Sequence, residues 1–548
     1  SLTRCERSHV WYARPFTARE MPGFDAELVF EGLDCFADVF LNGELAGRAG
    51  NMLIEHVFAV NGLLKGENEL LVHIRPAVEE AKKFSYPPSV GALGGFLESL
   101  YVRKAPHMYG WDIMPRAVSA GIWRPVTLRF RPKERLETAF LRTLSISGGE
   151  TAHLALHYTA ALSGEADVRV EIAGRCGDSE FHASQQAGAI GGVLGVSVSG
   201  PRLWWPRGRG EQNLYDVTVR LTRGGQELDR LTFTHGIRTI ALDRTSVTDE
   251  SGSGEFCFRV NGERFFALGT NWVPVDAYHS RDAERLPRVL DLAGDIGCNT
   301  IRCWGGNVYE NDLFYDFCDR RGILVWQDFA MACRFPPRDE AHQRAIAAEA
   351  RAVVRRLRQH ACLALWSGDN EVDSGLAAAG RNPNDNVLTR RVIPDVLKEE
   401  DQATPYIPSS PYIDETAFAA HGSPEAGINL APVAGGIRDL RTVYLPAFEA
   451  AICEAKALSI MPAYSEYEGV PASASKLLLT RILRQEWGFS GYVFADYGAV
   501  SMLHTFHRTA RDAAEAGRQA LEAGMDLEAP SDYGFGEQLL AMVREMKG

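Results

Sequence analysis

Two acidic residues of this chain stand where a carboxylate could transfer a proton or attack an electrophilic carbon. The apolar run Leu363-Ala-Leu-Trp leads into Ser367-Gly-Asp-Asn-Glu371, which puts a carboxylate directly after an amide side chain. In that arrangement Asn370 can hold a hydroxyl group while Glu371 donates or accepts a proton. A second carboxylate, Asp496, follows the apolar run Tyr492-Val-Phe-Ala. The alternative for the Asn-Glu pair is a helix N-terminus with a capping Asp or Asn.

Predicted strands and helices alternate along the chain after Phe256. The predicted strands lie at 264–269, 300–304, 324–328 and 363–367, and the predicted helices at 286–296, 311–321 and 340–359. Repeated βα units predict a parallel sheet, and their number predicts a (β/α)8 TIM-type barrel over residues 251–548. Chemistry in such barrels lies at the carboxyl ends of the strands, which favours a functional role for Asn370 and Glu371 over capping.

Two all-β blocks precede the barrel region. Apolar residues with a period of two, interrupted by Asn-Gly at 42–43 and 61–62, predict hairpins and a jelly-roll-like β-sandwich over residues 1–130. A second block over residues 131–250 has the strand pattern and the length of an immunoglobulin-like sandwich. A polar, glycine-rich stretch at 249–255 predicts the entry into the next domain. The expected fold class is therefore multidomain, β plus α/β.

Charge and composition argue against several kinds of partner. The formal net charge of -13 argues against nucleic acid and anionic membrane surfaces, because phosphate binding needs clustered Lys and Arg. The sequence has no apolar run of about 18 residues, so no membrane span is expected. No cluster with metal-ligand spacing is recognisable, and we expect neither a metal nor another cofactor. His504 and His507 are expected to be a solvated or packing pair. The oligomeric state stays open.

The ten cysteines are scattered without any C-x-x-C pair. This pattern predicts buried free thiols in a reducing compartment. Cys303 and Cys333 are expected near strand ends, with a packing role. No signal peptide is visible, so a cytoplasmic location is favoured over secretion.

A series of aromatic and polar motifs runs through residues from about 9 to 415: Val102-Arg-Lys-Ala with Gly110-Trp-Asp, Ala120-Gly-Ile-Trp-Arg-Pro, Leu203-Trp-Trp-Pro, Gly269-Thr-Asn-Trp-Val-Pro, Asn299-Thr-Ile-Arg-Cys-Trp-Gly-Gly, Val325-Trp-Gln-Asp-Phe and Leu365-Trp-Ser-Gly-Asp-Asn-Glu371. In these motifs and in their order, this part of the chain resembles glycoside hydrolase family 2, in particular its β-mannosidases. One motif departs from the family, because its Trp-Asp-Trp-Gly-Pro is Trp111-Asp-Ile-Met-Pro115 here. The resemblance implies that the pocket differs in shape at this point.

The family-2 resemblance implies a retaining exo-β-glycosidase that hydrolyses terminal non-reducing β-D-mannose residues. It implies Glu371 as the general acid/base and Asn370 as the contact to the sugar 2-hydroxyl, with a β-mannoside or other β-linked oligosaccharide as substrate. It also implies a set of side chains that line or brace the sugar subsite: Trp111, Asp112, Asn271, Trp272, Arg302, Trp304 and Asp328. For Arg302 and Asp328, a salt-bridge layer at the barrel mouth is an equally good interpretation.

The last part of the chain, from about residue 427 to 548, carries a different set of segments, which include Gly427-Ile-Asn-Leu-Ala-Pro-Val, Tyr444-Leu-Pro-Ala-Phe-Glu-Ala-Ala, Ser459-Ile-Met-Pro-Ala-Tyr-Ser and Glu486-Trp-Gly-Phe-Ser-Gly-Tyr-Val-Phe-Ala-Asp-Tyr-Gly-Ala-Val500. In these segments the chain resembles glycoside hydrolase family 3. The resemblance implies Asp496 as the nucleophile at the end of the seventh barrel strand, with Ala495 replacing the family's serine. Neither part carries a complete catalytic pair of its own family.

Together the two parts predict a hybrid barrel. Five family-2-like strands within 251–415 and three family-3-like strands at 458–462, 491–495 and 523–527 make eight, the number that closes a barrel. Glu371 and Asp496 would then form a retaining pair, which needs carboxyl groups about 5–5.5 Å apart. Two alternatives stay open. One is a β-glucosidase or β-xylosidase of family-3 type, and the other is an inactive carbohydrate-binding or truncated chimeric protein whose barrel is incomplete.

Overall fold

The computed structural model describes residues 2–92, 96–164, 167–244, 255–413, 436–529 and 532–546. The chain divides into two compact units. The larger unit comprises Ser1–Ser246 and Glu255–Ala419, and the smaller unit comprises Val247–Gly254 and Ala420–Gly548. The Gly427 segment and most of the predicted join at 415–440 lie outside the described residues, as does all but the last residue of the predicted domain entry at 249–255. None of the helices in the described ranges combines the length and the apolar character needed to cross a membrane.

The first part of the larger unit is a β-sandwich, as predicted. One antiparallel sheet has the strand order Val10–Ala18, Gly66–Arg75, Phe36–Leu41 and Glu44–Gly50. The other has the order Val126–Pro132, Phe24–Phe30 and His56–Ala59. Alternate residues of these strands, such as Leu28, Val39 and Val72, form one apolar core.

The two Asn-Gly pairs of this sandwich have different roles. Asn42 and Gly43 have φ angles of 55° and 85° and join two neighbouring strands of one sheet. This confirms the first predicted hairpin, because the tight turn needs positive φ at both positions. The second prediction is wrong, since Asn61-Gly62 connects His56–Ala59 of one sheet to Gly66–Arg75 of the other. The Asn61 side chain fixes this crossing by accepting a hydrogen bond from the Ala26 backbone N–H at 2.8 Å.

A second sandwich follows, again as predicted. Its three-stranded sheet has the order Arg135–Ser147, Thr151–Ala161 and Gly191–Ser199, and its four-stranded sheet the order Ser179–Gln186, Val168–Cys176, Tyr215–Arg223 and Gln226–His235. Its separate apolar core includes Leu154, Val170 and Val219. A small antiparallel sheet of Ile240–Arg244, Phe256–Val260 and Glu263–Phe265 leads into the next part of the unit.

The last part of the larger unit contains the predicted parallel sheet. Five strands lie side by side in chain order: Gly269–Trp272, Thr300–Cys303, Leu324–Asp328, Leu363–Ser367 and Tyr406–Ile407. The helices of this part are Asp282–Asp295, Asp312–Arg321, Glu340–Leu357, Val372–Ala378 and Ile393–Glu400. The fourth strand is buried along its whole length, as expected for a parallel strand covered on both faces.

The shorter elements of the larger unit connect these layers. They are the helical turns Leu2–Arg7, Ala77–Ala81, Glu98–Tyr101, Pro106–Tyr109, His279–Arg281, Pro383–Asp385 and Leu388–Val392, and the strand pairs Leu33–Asp34 with Gly121–Ile122 and Gly91–Ala92 with Arg334–Phe335.

The smaller unit is mostly helical. Its helical segments are Ile437–Asp439, Leu440–Tyr444, Pro446–Cys453, Ala472–Ala474, Leu477–Glu486, Ala499–Thr505, Ala513–Ala523 and Glu537–Met546. Its strands are short: Ser459–Ile460 runs parallel to Tyr492–Val493, and Glu466–Tyr467 pairs with Val470–Pro471. The third predicted strand is represented by one parallel bridge between Phe494 and Leu527. Closure of an eight-stranded barrel therefore stays a prediction.

Candidate active site

Glu371 lies just beyond the carboxyl end of the fourth parallel strand, Leu363–Ser367. The chain turns sharply there, and Gly368 is required because a Cβ would meet the Pro408 carbonyl oxygen at 2.2 Å. The Glu371 backbone N–H donates to the Ser410 carbonyl at 3.0 Å, and its φ of 60° is in the left-handed region. The Glu371 side chain is exposed and makes no capping hydrogen bond to the helix that follows. The Glu371 carboxylate is therefore available for an acid/base role.

The capping alternative applies to Asp369 instead. Its buried carboxylate accepts a hydrogen bond from the Val372 backbone N–H at 3.3 Å, at the start of the helix Val372–Ala378. The Ser409 hydroxyl donates to the same carboxylate oxygen. Burial, reinforced by the nearby Asp373, raises the pKa of Asp369 well above its usual value. Asp369 therefore has a structural role beneath the loop that presents Asn370 and Glu371.

Asn370 is held by Arg302, which ends up at the centre of a polar network. The Arg302 guanidinium donates to Asn370 Oδ1 at 2.8 Å, to Asp328 Oδ2 at 2.6 Å and to Asn271 Oδ1 at 3.1 Å. These four side chains come from four neighbouring strands of the parallel sheet, so the sheet order itself brings them together. The charge of one guanidinium thereby fixes the orientation of the amide beside Glu371.

Asp328 is fully buried and holds the Arg302 guanidinium in place. It accepts hydrogen bonds from the Gly305 backbone N–H and the Trp326 indole N–H, both at 3.1 Å. Burial raises the pKa of Asp328 to about 6, although the ion pair with Arg302 acts in the opposite direction. The predicted salt-bridge layer is present, and Asp328 braces Arg302 from a buried position.

Trp111 and Asp112 come from the first sandwich of the same unit. The Trp111 ring lies edge-on against Trp304, with ring centroids 5.1 Å apart. Residues Trp111–Met114 form a tight turn closed by two backbone hydrogen bonds, which is the local conformation of the segment that departs from the family motif. Asp112 is exposed, and its charge is among those that raise the pKa of the Cys333 thiol.

Trp272, which was predicted to line or brace the sugar subsite, lies at the end of the first parallel strand, Gly269–Trp272. Its side chain is only 4% exposed and packs against Phe314. The indole N–H donates to Glu310 at 2.9 Å, and burial raises the pKa of that carboxyl. The indole is amphipathic, and its single donor is satisfied inside the core, which explains why the aromatic motif of this strand is structural.

Cys333 is a residue at the site whose role sequence reasoning missed. Its thiol donates to Glu371 Oε2 at 3.1 Å and accepts from Asn370 Nδ2 at 3.4 Å. The predicted packing role holds for Cys303, which is buried at the end of the second parallel strand. All ten cysteines are free thiols. The signal in the sequence was the position of Cys333, five residues beyond the strand end at Asp328.

Arg103, within the Val102-Arg-Lys motif, is the second residue whose role was missed. It forms a buried ion pair with Glu349 at 2.6 Å and donates to the Ala330 carbonyl at 2.9 Å. The Tyr309 hydroxyl donates to Glu349 at 3.0 Å and accepts from the Ala330 N–H at 2.9 Å. The loop between Asp328 and Cys333 is therefore anchored from the first sandwich.

Asp496 lies in the smaller unit, at the end of the strand Tyr492–Val493. Its Oδ1 accepts a hydrogen bond from the Tyr497 backbone N–H at 2.7 Å. Gly498 follows with a φ of 75°, and its N–H donates to the Ala529 carbonyl at 2.9 Å. The Tyr464 hydroxyl donates to the Tyr497 carbonyl at 2.8 Å. A local turn thus holds this carboxylate.

The histidines and acidic residues that suggest metal ligands have other partners. His504 bonds to the Tyr533 hydroxyl at 2.6 Å and His507 to Glu466 at 2.7 Å, so these two histidines do not share a ligand. Within the described residues, Asp316, Asp319 and His360 are grouped closely enough for an ion. Both Asp319 carboxylate oxygens already accept hydrogen bonds, from His360 and from the Cys362 backbone N–H. We interpret this group as structural.

Three family models match the chain. Residues 1–124 match the galactose-binding domain-like region of glycosyl hydrolase family 2, and residues 135–238 match glycosyl hydrolases family 2. Residues 416–546 match the N-terminal domain of glycosyl hydrolase family 3. Both resemblances stated from the sequence are confirmed.

Relatives of known name match the larger part of the chain. A beta-mannosidase B of Thermothelomyces thermophilus is 33% identical over 427 residues, which cover 73% of this chain and 49% of the relative. A beta-mannosidase of Mus musculus is 28% identical over 416 residues, covering 70% and 47%. A solved beta-D-mannosidase from Dictyoglomus thermophilum has a TM-score of 0.68 and 33% identity, covering 75% and 52%. The chain spans about half the length of the curated relatives it matches.

Proposed function

We propose that this chain hydrolyses terminal, non-reducing β-D-mannose residues. Residues 1–124 and 135–238 match family 2 of the glycosyl hydrolases, and residues 416–546 match the N-terminal domain of family 3. The proposed activity is that of a retaining exo-β-glycosidase. The preference for mannose follows the beta-mannosidases that are 33% identical to this chain over 73–75% of its length.

One observation carries the proposal: a carboxylate and an amide stand side by side at the carboxyl end of a parallel sheet, and Arg302 fixes the amide. In this proposal Glu371 protonates the glycosidic oxygen of the leaving group and later removes a proton from the attacking water. Arg302 occupies Asn370 Oδ1, which directs the amide N–H group towards donation to a sugar hydroxyl. Trp111, which lies edge-on against the buried Trp304, offers aromatic surface to the sugar ring.

The nucleophile is the part of the proposal that rests on sequence alone. We assign it to Asp496, because the family 3 resemblance covers the segment around that residue. The closed hybrid barrel that would combine Asp496 with Glu371 is likewise a proposal. Retention of anomeric configuration would follow from attack by Asp496, which forms a covalent glycosyl-enzyme intermediate that water then hydrolyses.

A second candidate function is a β-glucosidase or β-xylosidase of family-3 type. It is favoured by the match of residues 416–546 to the N-terminal domain of that family. A third candidate, from a different class, is a carbohydrate-binding protein without turnover. It is favoured by the join between the family 2 and family 3 segments near residues 415–440, because strands from two families seldom pack with complementary side chains.

Hydrolysis of nitrophenyl β-mannoside, β-glucoside and β-xyloside by the purified chain separates these candidates. We expect the β-mannoside to be turned over fastest, and Glu371→Gln to lower its kcat by about 10²–10⁴-fold because the proton donor is lost. Faster turnover of the glucoside or xyloside would support the family-3-type activity. A folded chain without turnover, whose melting temperature rises with added mannose, would support sugar binding alone.

A further inference from the structure

The Glu371 carboxylate has one side-chain hydrogen-bond partner among the described residues, the thiol of Cys333. Sγ lies 3.1 Å from Glu371 Oε2, a normal distance for a hydrogen bond from sulfur. The same sulfur accepts a hydrogen bond from Asn370 Nδ2 at 3.4 Å. The thiol therefore links the two neighbouring side chains to which the acid/base and sugar-contact roles are assigned.

Backbone hydrogen bonds hold the Cys333 segment against the Asn370–Glu371 segment. The Cys333 N–H donates to the Asn370 carbonyl at 2.9 Å, and the Asn370 N–H donates to the Met331 carbonyl at 2.9 Å. The φ angles of Cys333 and Glu371 are 45° and 60°, a left-handed conformation that costs energy for residues other than glycine. Two such residues in contact indicate that their geometry is held for a purpose other than stability.

The thiol is suited to donate a proton in this hydrogen bond and to keep it. Burial, together with the negative charge of Glu371, raises the pKa of the Cys333 thiol far above its usual value. A neutral thiol is a weak donor and a weak acceptor, and here it uses both capacities. A thiolate in the same place would repel the carboxylate and would have no proton to donate.

We propose that Cys333 is a positioning residue for the proposed glycosidase reaction, whose thiol orients the Glu371 carboxyl group towards the glycosidic oxygen. The proposal rests on the acid/base role assigned to Glu371. Without the thiol, the exposed Glu371 side chain is free to turn about its own bonds, and the fraction of time it spends in the reactive orientation falls.

Two variants test the positioning role in the active protein. Cys333→Ala removes the donor, and we expect kcat on a poorly activated aryl β-mannoside to fall by about tenfold with KM changed less than twofold. Cys333→Ser keeps a hydroxyl donor of similar size, and we expect it to restore most of the lost kcat. A fall in both variants alike, a rise in KM alone, or full activity in Cys333→Ala would overturn the proposal.

A measurement that does not need turnover separates this proposal from the proposed function. Iodoacetamide alkylation of Cys333, followed by peptide mass spectrometry, is compared between the wild-type chain and Glu371→Gln, with the exposed Cys5 as internal standard. Loss of the neighbouring negative charge lowers the pKa of the Cys333 thiol and so raises the fraction present as thiolate. We therefore expect Cys333 to react on the order of tenfold faster in the variant. An unchanged rate would show that the thiol and the carboxylate do not interact, whether or not the chain hydrolyses a glycoside. A faster rate in a chain without turnover would support the contact between Cys333 and Glu371. It would contradict the proposal that this contact positions Glu371 for catalysis.

Discussion

Glu371 and Asp496 are held by very different means. Glu371 follows a strand of a five-stranded parallel sheet, and its surroundings are tied together by Arg302, Asp328 and Cys333. Asp496 follows a two-residue strand, and its carboxylate accepts a hydrogen bond from the next residue in the chain. The first arrangement depends on residues far apart in the sequence, whereas the second is specified within one turn. A carboxylate of the first kind is sensitive to many distant substitutions, and one of the second kind to few.

The largest effect is expected from Asp496→Asn, if the local turn presents a nucleophile. The substitution removes the attacking charge, and we expect kcat on nitrophenyl β-mannoside to fall by at least ~10³-fold. Asp512→Asn is a matched control, because Asp512 caps the helix Ala513–Ala523 and asparagine caps equally well. A 2-deoxy-2-fluoro mannosyl fluoride should label the peptide that contains Asp496. Full activity of Asp496→Asn, or a label on another residue, would refute its role.

The next largest effect is expected on stability, from the buried Arg103–Glu349 ion pair of the larger unit. Arg103 and Glu349 are each about 3% exposed, and Arg103→Met leaves the Glu349 charge buried without its partner. We expect the free energy of unfolding, measured by urea denaturation, to fall by about 3–5 kcal/mol. The double variant with Glu349→Met should be less destabilised than the single variant.

The pair Arg511–Glu515 of the smaller unit, in which the Arg511 side chain is 84% exposed, is the control for this comparison. We expect Arg511→Met to leave the urea midpoint almost unchanged, because an arginine that is largely solvated contributes little to stability through its ion pair. Equal losses in Arg103→Met and Arg511→Met would contradict the contrast between the two units.

A smaller effect is expected from pH, again through groups of the larger unit. Burial lowers the pKa of both His235 and His342 to about 3. Below a pH of about 6.5 these two imidazoles bind protons in the unfolded chain but stay neutral in the folded chain. The free energy of unfolding should therefore decrease as the pH falls from 6.5 towards 3. Urea denaturation at a series of pH values measures this slope. His342→Gln should make the slope shallower, and an unchanged slope would contradict the assignment.

The sequence predicted the fold of the larger unit well, for physical reasons that differ between its parts. The parallel strands were predictable because buried strands such as Leu363–Ser367 are continuous apolar runs between amphipathic helices. The turn at Asn61-Gly62 was predicted wrongly, because the same dipeptide serves a hairpin and a crossing between sheets. Closure of a barrel depends on packing between segments from two families, which no local pattern encodes.

The site was predictable in part. Glu371 and Asn370 were predicted from their position after a parallel strand, and Arg302 and Asp328 from the resemblance to family 2; the structure joins Arg302 to Asp328 and Asn370. Trp272 is buried with its indole N–H bonded to Glu310, and its predicted contact with substrate stays a prediction, since a motif does not show on which side of the strand an aromatic ring lies. Cys333 and Arg103 were missed, because their roles come from a loop conformation and from contacts across 246 residues of sequence.

The most direct test of the proposed role of Glu371 is the dependence of rate on the leaving group. Aryl β-mannosides with leaving groups of increasing pKa are hydrolysed by the wild-type chain and by Glu371→Gln and Glu371→Ala. The account predicts that kcat/KM of both variants falls little with dinitrophenolate and about 10²–10⁴-fold with poor leaving groups. With dinitrophenolate, azide should raise the kcat of Glu371→Ala by attacking the glycosyl-enzyme intermediate, whose hydrolysis has lost its base. An equal loss with every leaving group, or no loss at all, would contradict the assignment of Glu371 as the general acid/base.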